Sequence, residues 1–399
     1  MGTQLLLSYD FPPIGGGIAR WMSELAKRYP PGSLVVSTGR YPGSREFDQQ
    51  SPNPIDRVPI HSNRLRTLPG LLLWSRRVEK LARLLGAEFI WCGNIKPASY
   101  PAKWTRRRLG TPYGILLHGG DLLILRHQAQ RSGLKRRTAR ALLESASVLV
   151  TNSLWTRDLC RTVLDELEID VDASRVQTVP LGADPEVFRP GLDQSETRGR
   201  YGLDGRRWLL SVARLTQHKG IDTGLRVIAR LRQEYPDVGY AVVGSGNELS
   251  NLEHLARALG VADRVRFLTD VPDRDLPGLY NCAEVYLGLS RLMEQRVEGF
   301  GISLVEAAAC GIPVIAGRIG GIPEAVREGE TGLLVDAEQP DDVCGALRTL
   351  LEDRGLAARL GQGGRRAVET YYNWDRAAAD IGRIGRELGR SIRSEGACQ

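Results

Sequence analysis

Short, nearly continuous runs of apolar residues recur along this 399-residue chain and alternate with segments of helical periodicity. Such runs are typical of parallel strands that are buried on both faces. In the first half of the chain they predict strands at residues 4–9, 34–38, 89–93, 113–118, 148–152 and 176–181. In the second half they predict strands at residues 208–213, 240–244, 265–269, 284–289, 313–316 and 332–335. Helical spacing is clearest at residues 18–29, 222–235, 248–259 and 341–351.

The alternation of strand and helix in each half predicts an α/β fold of two doubly wound parallel-sheet domains. A segment rich in Pro, Gly and polar residues at 185–198 predicts the linker between them. In open sheets of this kind, ligands bind at the carboxyl ends of the strands, where the strand order reverses. Two such sheets facing each other would form one central cleft, so residues that follow strands are the candidates for chemistry.

The composition is that of a globular protein and narrows its location. The chain is 42% hydrophobic and 25% charged, and no run approaches the roughly 18 apolar residues of a membrane-spanning helix. The start, MGTQLLLSYDFPP, lacks the basic region of a signal peptide. Six cysteines, at positions 92, 160, 282, 310, 344 and 398, form no CxxC pair. We therefore expect mostly buried free thiols in a reducing cytoplasm, without a zinc or redox site.

Three glycines, Gly15, Gly16 and Gly17, follow the first predicted strand and precede a predicted helix. Glycines let the backbone approach a ligand closely, and a helix start offers free amides to an anion. Phosphate contact and an ordinary tight turn both stay open here. The run lacks the spacing of a dinucleotide-binding fingerprint, and no acidic residue follows a second strand near position 38, which disfavours a dehydrogenase.

Two cations lie in the loop after the first strand of the second half. Arg214 and Lys219 follow the predicted strand at 208–213, and a helix is predicted to begin near Asp222 as its N-cap. Arg presents a planar fork to phosphate oxygens, and Lys a point charge. The loop is therefore either a phosphate site or a solvated surface loop.

The segment EGFGISLVE places two carboxylates, Glu298 and Glu306, around a glycine-rich helix start. It follows the predicted strand at 284–289, and the helix N-terminus adds free amides and a positive dipole end. One carboxylate could bind sugar hydroxyls and the other a ribose diol. The alternative is a capping carboxylate and a solvated helix residue, but the glycines and the neighbouring loops favour the ligand site.

In the first half, His118 closes an apolar strand and is followed by Gly119, Gly120 and Asp121. Its position at a strand end before two glycines favours contact with a ligand over a purely structural role. Asp121 is one of few acids in a basic region, and we expect it to orient either His118 or an acceptor hydroxyl.

These motifs together resemble the retaining glycosyltransferases of family 4, which have the GT-B fold. EGFGISLVE resembles that family's Glu-seven-residues-Glu motif, and ARLTQHKGID resembles its Arg/Lys loop. The GGG loop, the HGGD step and GGIPEAV at 320–326 follow in the family's order. The resemblance covers nearly the whole chain, and its specificity lies in the combination of motifs.

The resemblance implies a role for each candidate residue. A diphosphate donor would be bound by the following residues: Gly16, Gly17, Arg214, Lys219, Phe300, Gly301, Ile302 and Ser303. Glu306 would hold the ribose hydroxyls and Glu298 the donor hexose, with the base contacted largely by backbone near 269–272. The predicted catalytic residues are His118, Arg214, Lys219 and Glu298, and Asp121 lies on the acceptor side. The last helix would return to the first domain, which gives an acceptor-side domain of residues 1–185 with 376–399 and a donor-binding domain of residues 186–375.

The predicted activity is retaining transfer of a hexose from a UDP- or GDP-sugar to an acceptor hydroxyl. Cell-surface polysaccharide or glycolipid synthesis is one setting, and a soluble secondary metabolite or aminocyclitol is the alternative acceptor. Preorganised groups aimed at the departing phosphate can each lower the barrier by about 3–4 kcal/mol, so no metal or other cofactor is expected. A nucleotide-sugar epimerase shares the architecture but not the acid/base pattern, and a non-catalytic nucleotide-sugar-binding subunit is the remaining class.

The charge is uneven along the chain. From Arg57 to Arg140 there are 18 Lys and Arg but three Asp and Glu, within a chain of net charge +7. The segment LPGLLLWSRRVEKLARLLG is partly amphipathic, with Arg76, Arg77, Lys80 and Arg83 polar. One interpretation is peripheral docking to an anionic bilayer, at the inner face of the plasma membrane, that carries a lipid-linked acceptor. The other is ordinary solvated helix faces, and nucleic-acid binding is disfavoured because no recognition motif is present. The charged loop at 290–297 is predicted to reach the acceptor.

Overall fold

The computed structural model describes residues 2–397, and side chains as far as Ser391. The chain forms two compact units. The N-terminal unit comprises residues 2–181 and 374–397, and the C-terminal unit is Gly182–Asn373. The chain therefore passes between units a few residues before each predicted boundary.

The N-terminal unit is built on a parallel sheet covered by helices. Its strands are β1 (Gln4–Leu7), β2 (Leu34–Arg40), β3 (Ile55–His61), β4 (Phe89–Cys92), β5 (Tyr113–Leu117), β6 (Val148–Thr151) and β7 (Val176–Thr178). Its helices are α1 (Gly17–Arg28), α2 (Ser44–Gln49), α3 (Leu68–Leu85), α4 (Ser99–Leu109), α5 (Gly120–Arg131), α6 (Gly133–Glu144), α7 (Leu154–Glu166) and, from the end of the chain, α16 (Trp374–Ala397). The order of the described strands is β3-β2-β1-β4-β5-β6-β7, and every pairing is parallel.

The C-terminal unit repeats this architecture. Its strands are β8 (Arg207–Val212), β9 (Val238–Val243), β10 (Val265–Leu268), β11 (Ala283–Gly288), β12 (Val314–Gly317) and β13 (Gly332–Val335). Its helices are α8 (Ser195–Tyr201), α9 (Ile221–Leu231), α10 (Leu249–Ala258), α11 (Leu276–Asn281), α12 (Ile302–Ala309), α13 (Ile322–Ala325), α14 (Pro340–Glu352) and α15 (Arg354–Thr370). The described strands lie in the order β10-β9-β8-β11-β12-β13, all parallel.

Each sheet has a core of its own on which the helices pack. In the N-terminal unit Trp74 of α3 and Tyr113 of β5 are fully buried, and in the C-terminal unit Leu225 of α9 and Tyr240 of β9 are. Every residue of the central strands β1 and β9 is buried. This explains their continuous apolar runs, because helices cover both faces of the sheet.

The predicted fold class, two doubly wound parallel-sheet domains, is confirmed, whereas strand β3 was not predicted and the linker predicted at 185–198 is wrong. Strand β3 was missed because it is a half-exposed edge strand that contains Pro59, so it carries no continuous apolar run. The segment predicted as a linker at 185–198 ends in helix α8, which begins at Ser195.

The sheet order places one switch point in each unit. Strand order reverses between β1 and β4 and again between β8 and β11. The loops after β1 and β4, and those after β8 and β11, therefore flank the crevices where α/β sheets bind ligands. These loops carry Gly15–Gly17, Arg214, Lys219 and Glu298.

Five cysteines are buried free thiols, as predicted: Cys92, Cys160, Cys282, Cys310 and Cys344. Burial raises the pKa of each of these thiols, that of Cys160 to about 12. Cys398 lies outside the described residues. In the part of the chain that the structure describes, no helix is both long and apolar enough to cross a membrane.

Candidate functional site

In the C-terminal unit the loops after β8 and β11 pack directly on each other. Gly220 has φ +67°, and a Cβ placed on it would lie 1.9 Å from the carbonyl oxygen of Leu289. The main-chain N–H of Arg291 donates to the carbonyl of His218 at 2.8 Å. The glycine in ARLTQHKGID thus permits a close backbone contact that fixes the Arg/Lys loop against the end of β11.

Helix α9 begins at Ile221 with Gly220 as its N-cap, so the predicted N-cap at Asp222 is wrong. Asp222 lies in the first turn, and its carboxylate pairs with the guanidinium of Arg291 at 3.1 Å. Arg291 belongs to the loop predicted to reach an acceptor. The ion pair ties the start of that loop to α9, and the main-chain bond ties it to His218 in the loop before α9.

Lys219 and Glu298, predicted to contact the same ligand, form an ion pair. The ammonium of Lys219 donates to Oε2 of Glu298, and the two side chains are 16% and 22% exposed. Lys219 ends a short 3-10 helix, Gln217–Lys219, after β8, whereas Glu298 follows β11. The exposed Arg214 lies in the same loop as Lys219. Lys219 and Glu298 are 79 positions apart in the chain. They are adjacent in space because β8 and β11, the strands that precede their loops, are neighbours in the sheet.

His218 is buried next to Lys219 in the same short 3-10 helix, and the sequence motifs did not single it out. The residue is 6% exposed, and its Nδ1 lies 3.1 Å from the hydroxyl of Thr216. Burial, and next the charge of Lys219, lower the pKa of His218 to about 4, although Glu298 opposes the shift. The imidazole is therefore neutral near pH 7 and adds no charge to the loop.

The segment after Glu298 turns sharply into helix α12. Gly301 has φ +101° and is the N-cap, where a Cβ would lie 2.5 Å from the side chain of Leu304. Ile302 and Ser303 are half-buried in the first turn. The phenyl ring of Phe300 is buried and lies 5.8 Å from the ring of Tyr372, so a donor can meet Phe300 only through its main chain.

Glu306 lies one turn into α12 and is 4% exposed. Its Oε2 accepts a hydrogen bond of 2.9 Å from the hydroxyl of Tyr280, at the end of α11. A buried carboxylate is costly unless it is hydrogen-bonded. The alternative of a solvated helix residue at position 306 is therefore wrong.

The GGIPEAV segment supports the backbone of Glu298. The N–H of Gly321 donates to the carbonyl of Glu298 at 3.0 Å. Gly320 has φ +58°, and a Cβ there would lie 2.3 Å from the same oxygen. The two glycines therefore let a second loop brace the position from which Glu298 projects.

In the N-terminal unit the triple glycine leads directly into α1. Gly15, Gly16 and Gly17 are exposed, and Gly16, with φ 122° and ψ 162°, caps the helix without a side-chain hydrogen bond. That region of backbone space is essentially restricted to glycine. The arrangement leaves the amides at the start of a 12-residue helix accessible, as an anion site needs.

His118 follows β5 and is held on two sides. Its Nε2 lies 2.7 Å from the carbonyl oxygen of Gly93. Its ring packs perpendicular to that of Trp21, with the ring centroids 5.0 Å apart. A carbonyl oxygen only accepts, so Nε2 is the donor and Nδ1 is the nitrogen left for other chemistry.

Asp121 holds the main chain of His118 and not its imidazole. Oδ1 accepts from the N–H groups of His118 and Leu122, each at 3.0 Å. Oδ2 is buried and has no hydrogen-bond partner among the described residues. Burial raises the pKa of Asp121, and the charge of His118 opposes this. Asp121 thus fixes the main chain at His118, and its action on the imidazole or on an acceptor hydroxyl stays a prediction.

Family models match both halves of the chain. Residues 16–182 match the model described as Glycosyl transferase 4-like domain, and residues 193–367 match Glycosyl transferases group 1. The predicted family resemblance is confirmed by these matches and by relatives of known name.

One relative aligns along nearly the whole chain, and another along about two thirds of it. A GDP-mannose-dependent alpha-(1-6)-phosphatidylinositol monomannoside mannosyltransferase of Mycolicibacterium smegmatis is 31% identical over 95% of this chain and 97% of its own. A D-inositol 3-phosphate glycosyltransferase of Corynebacterium jeikeium is 33% identical over 64% of this chain and 60% of its own.

Solved structures share the two-domain architecture. Anabaena Alr3699/HepE, in complex with UDP and glucose, superposes with a TM-score of 0.79 and 21% identity, over 96% of this chain and 99% of that one. Sucrose-phosphate synthase from Thermosynechococcus elongatus gives a TM-score of 0.78 and 22% identity, over 98% and 100%. At these identities the likeness concerns the fold alone, and the predicted GT-B fold is confirmed.

Proposed function

Since this chain belongs to the family of group 1 glycosyltransferases, we propose that it transfers mannose from GDP-mannose to an inositol-containing glycolipid. The observation that carries the proposal is the alignment of GDP-mannose-dependent mannosyltransferases along nearly the whole chain. The chain holds the residue types that such a donor needs, on the loops that flank the C-terminal switch point.

In this proposal the C-terminal unit binds the donor. Arg214 and Lys219 neutralise the diphosphate, with the amides of Gly301, Ile302 and Ser303 at the start of α12. Glu298 binds mannose hydroxyls, and Glu306 binds the ribose. The N-terminal unit supplies the acceptor side with Asp121, while Gly16, Gly17 and His118 add contacts to the donor.

The chemistry follows from where charge develops. The bond from the anomeric carbon to the phosphate oxygen breaks, which leaves positive charge on the sugar and negative charge on GDP. Cations and amides fixed before the reaction stabilise that phosphate without reorganisation. The acceptor oxygen bonds to the anomeric carbon on the face that the phosphate leaves, and the acceptor proton passes to a phosphate oxygen. Configuration is thereby retained, and no metal is required.

A soluble inositol phosphate is the second candidate acceptor, because relatives that align over part of the chain are named D-inositol 3-phosphate glycosyltransferases. Both acceptors carry an inositol ring and a phosphate. The difference is the lipid, so a membrane surface on the protein favours the first.

Helix α3 presents such a surface. Five leucines on it are between 39% and 72% exposed: Leu68, Leu72, Leu73, Leu84 and Leu85. The cations Arg76 and Lys80 are also exposed on this helix. Apolar side chains flanked by cations suit the interface of an anionic bilayer, and we place the protein peripherally at the cytoplasmic leaflet.

The basic stretch is weaker than its sequence indicates, because several arginines pair with acids outside it. Arg57 is largely buried and pairs with Asp48, and Arg77 pairs with Asp56. Only the unpaired cations can attract lipid.

The exposed leucines of α3 are tested by flotation with vesicles rich in phosphatidylinositol. Flotation should fall in Leu68→Ser/Leu72→Ser but not in Val187→Ser, which alters an exposed apolar residue of the C-terminal unit.

The activity is tested with radiolabelled GDP-mannose and UDP-glucose, each offered to phosphatidylinositol monomannoside in liposomes and to D-inositol 3-phosphate. Mannose on the lipid, at a rate unchanged by EDTA, supports the proposal. Product on inositol phosphate alone selects the second candidate. Transfer from UDP-glucose alone, or no transfer to either acceptor, contradicts the proposal.

A further inference from the structure

Tyr280 lies directly behind the buried carboxylate of the donor motif, yet no motif includes it. Its residue exposure is 0%, and it stands near the end of α11. The ring packs edge-on against Phe188 and is tilted against Tyr286, with centroids 5.7 Å apart in both cases. The ring therefore has a defined position, set by aromatic contacts on two sides.

The phenol hydroxyl has a chemical role that packing alone does not explain. It donates to Oε2 of Glu306 at 2.9 Å, from α11 across to α12. Burial, and next the charge of Glu306, raise the pKa of Tyr280 well above its usual value. The hydroxyl thus stays protonated, and its rigid ring limits the rotation of the carboxylate it holds.

Orientation of this carboxylate matters because a ribose presents two adjacent hydroxyls in a fixed geometry. A carboxylate whose plane is held in place meets both without losing side-chain rotamer freedom on binding. The ring of Tyr286, which lies against that of Tyr280, is itself held at the end of β8. Its hydroxyl donates to the carbonyl of Val212 at 3.2 Å.

We propose that Tyr280 is a positioning residue for the nucleoside of the donor, and that through Glu306 it makes the protein select ribonucleotides. This inference rests on the proposed function, because it takes Glu306 as the group that binds the ribose. Tyr280 does not touch the ligand, and its effect is confined to the two ribose hydroxyls.

The test compares the binding of GDP and 2′,3′-dideoxy-GDP by calorimetry. For the wild-type protein we expect GDP to bind about a hundredfold more tightly, since hydrogen bonds to a charged group are strong. In Tyr280→Phe, GDP should bind about tenfold more weakly, and dideoxy-GDP should change by less than about twofold. This reduction of the GDP to dideoxy-GDP selectivity is a readout that a merely structural role would not move.

Tyr240→Phe is the matched control. Tyr240 is equally buried in the same unit. Its hydroxyl is hydrogen-bonded at 2.7 Å to the hydroxyl of Ser211 and makes no hydrogen bond to Glu306. The same oxygen is removed, so its effect on folding is comparable, but the ratio of GDP to dideoxy-GDP affinity should stay at the wild-type value.

A double-mutant cycle separates an effect that acts through Glu306 from a general effect on the fold. In a Glu306→Gln background, adding Tyr280→Phe should change GDP affinity by less than about twofold, because the residue acts through the carboxylate. An equal loss in both backgrounds overturns the inference.

The two possible failures are distinct. If the wild-type protein binds GDP and dideoxy-GDP equally, Glu306 does not hold the ribose, and both this inference and that part of the proposed function fall. If the wild-type protein discriminates and Tyr280→Phe discriminates to the same degree, only the inference falls.

Discussion

The two units carry candidate groups in the loops after their strands but hold them by different means. In the C-terminal unit, candidate side chains contact side chains: Lys219 pairs with Glu298, and Tyr280 holds Glu306. In the N-terminal unit the contacts are with main chain, as His118 bonds to the carbonyl of Gly93, and Asp121 accepts two backbone N–H groups.

This difference predicts how amino-acid substitutions should act in each unit. Side chains that share partners are energetically coupled, so substitutions in the C-terminal unit should be non-additive. Groups held by the backbone depend on loop conformation more than on any one neighbouring side chain. Under the proposed function, the first design suits a donor with a constant diphosphate and ribose, and the second leaves acceptor contacts open to variation.

The largest effect is predicted for Lys219, one of the coupled side chains of the C-terminal unit. Lys219→Met should lower the rate of mannose transfer by about 10²–10³-fold, because one preorganised charge at a leaving group contributes about 3–4 kcal/mol. Initial rates with GDP-mannose measure this. The control is Lys27→Met, whose ammonium pairs with Glu24 in the N-terminal unit. A rate near that of the wild-type protein in Lys219→Met would remove this residue from the site.

The next prediction concerns the main-chain conformation at Gly16 in the N-terminal unit. Gly16→Ala should destabilise the N-terminal unit by about 1–3 kcal/mol, because an alanine cannot easily adopt φ 122° and ψ 162°. Urea unfolding followed by fluorescence measures the loss. Gly15→Ala is the control, since Gly15 has no positive φ and its Cβ would meet nothing within 4 Å. Equal effects of the two substitutions would contradict a special conformation at Gly16.

A third prediction uses pH to sharpen the contrast. The pKa of His218 is about 4 in the folded protein, against an ordinary 6.5, so the unfolded chain binds the proton more readily. Stability from this group is complete above pH 6.5 and is lost as the pH falls toward 4. Between pH 7 and 5 the wild-type protein should therefore lose about 2 kcal/mol more than His218→Gln.

Urea unfolding at both pH values provides the measurement for His218. The exposed His254, on α10 of the same unit, gives a control in His254→Gln. If His218→Gln and the wild-type protein respond identically to acid, the imidazole does not titrate as its burial implies.

The smallest effect concerns the ion pair itself. The carboxylate of Glu298 competes with phosphate for Lys219, so Glu298→Gln should tighten GDP binding by up to about fivefold, the scale of a partly exposed pair. Transfer from GDP-mannose should fall at the same time, because the sugar loses a ligand. Calorimetry and initial rates would show these opposite signs, and Glu328→Gln, which alters the exposed pair with Arg318, should show neither. Parallel changes in binding and rate would contradict a dual role of Glu298.

Much of the fold could be predicted because burial on both faces leaves continuous apolar runs in the sequence. The sheet strands β1, β4, β5 and β9 all followed from such runs. Strand β3 did not, because an edge strand is half-exposed and carries a mixed pattern. The glycines and charges of the loops after β8 and β11 could be recognised as well, since ligand chemistry demands particular residue types after strands.

The alternation of strand and helix, the position of the loops and the residue types in them can therefore be inferred from local sequence. Which side chains contact each other depends on the packing of each unit. Tyr280 and Glu306 are 26 residues apart and His118 and Gly93 are 25 apart, and no local pattern links either pair. Their contacts exist because the strand order brings separate loops together, and strand order is set by packing over the whole unit rather than by any segment of it.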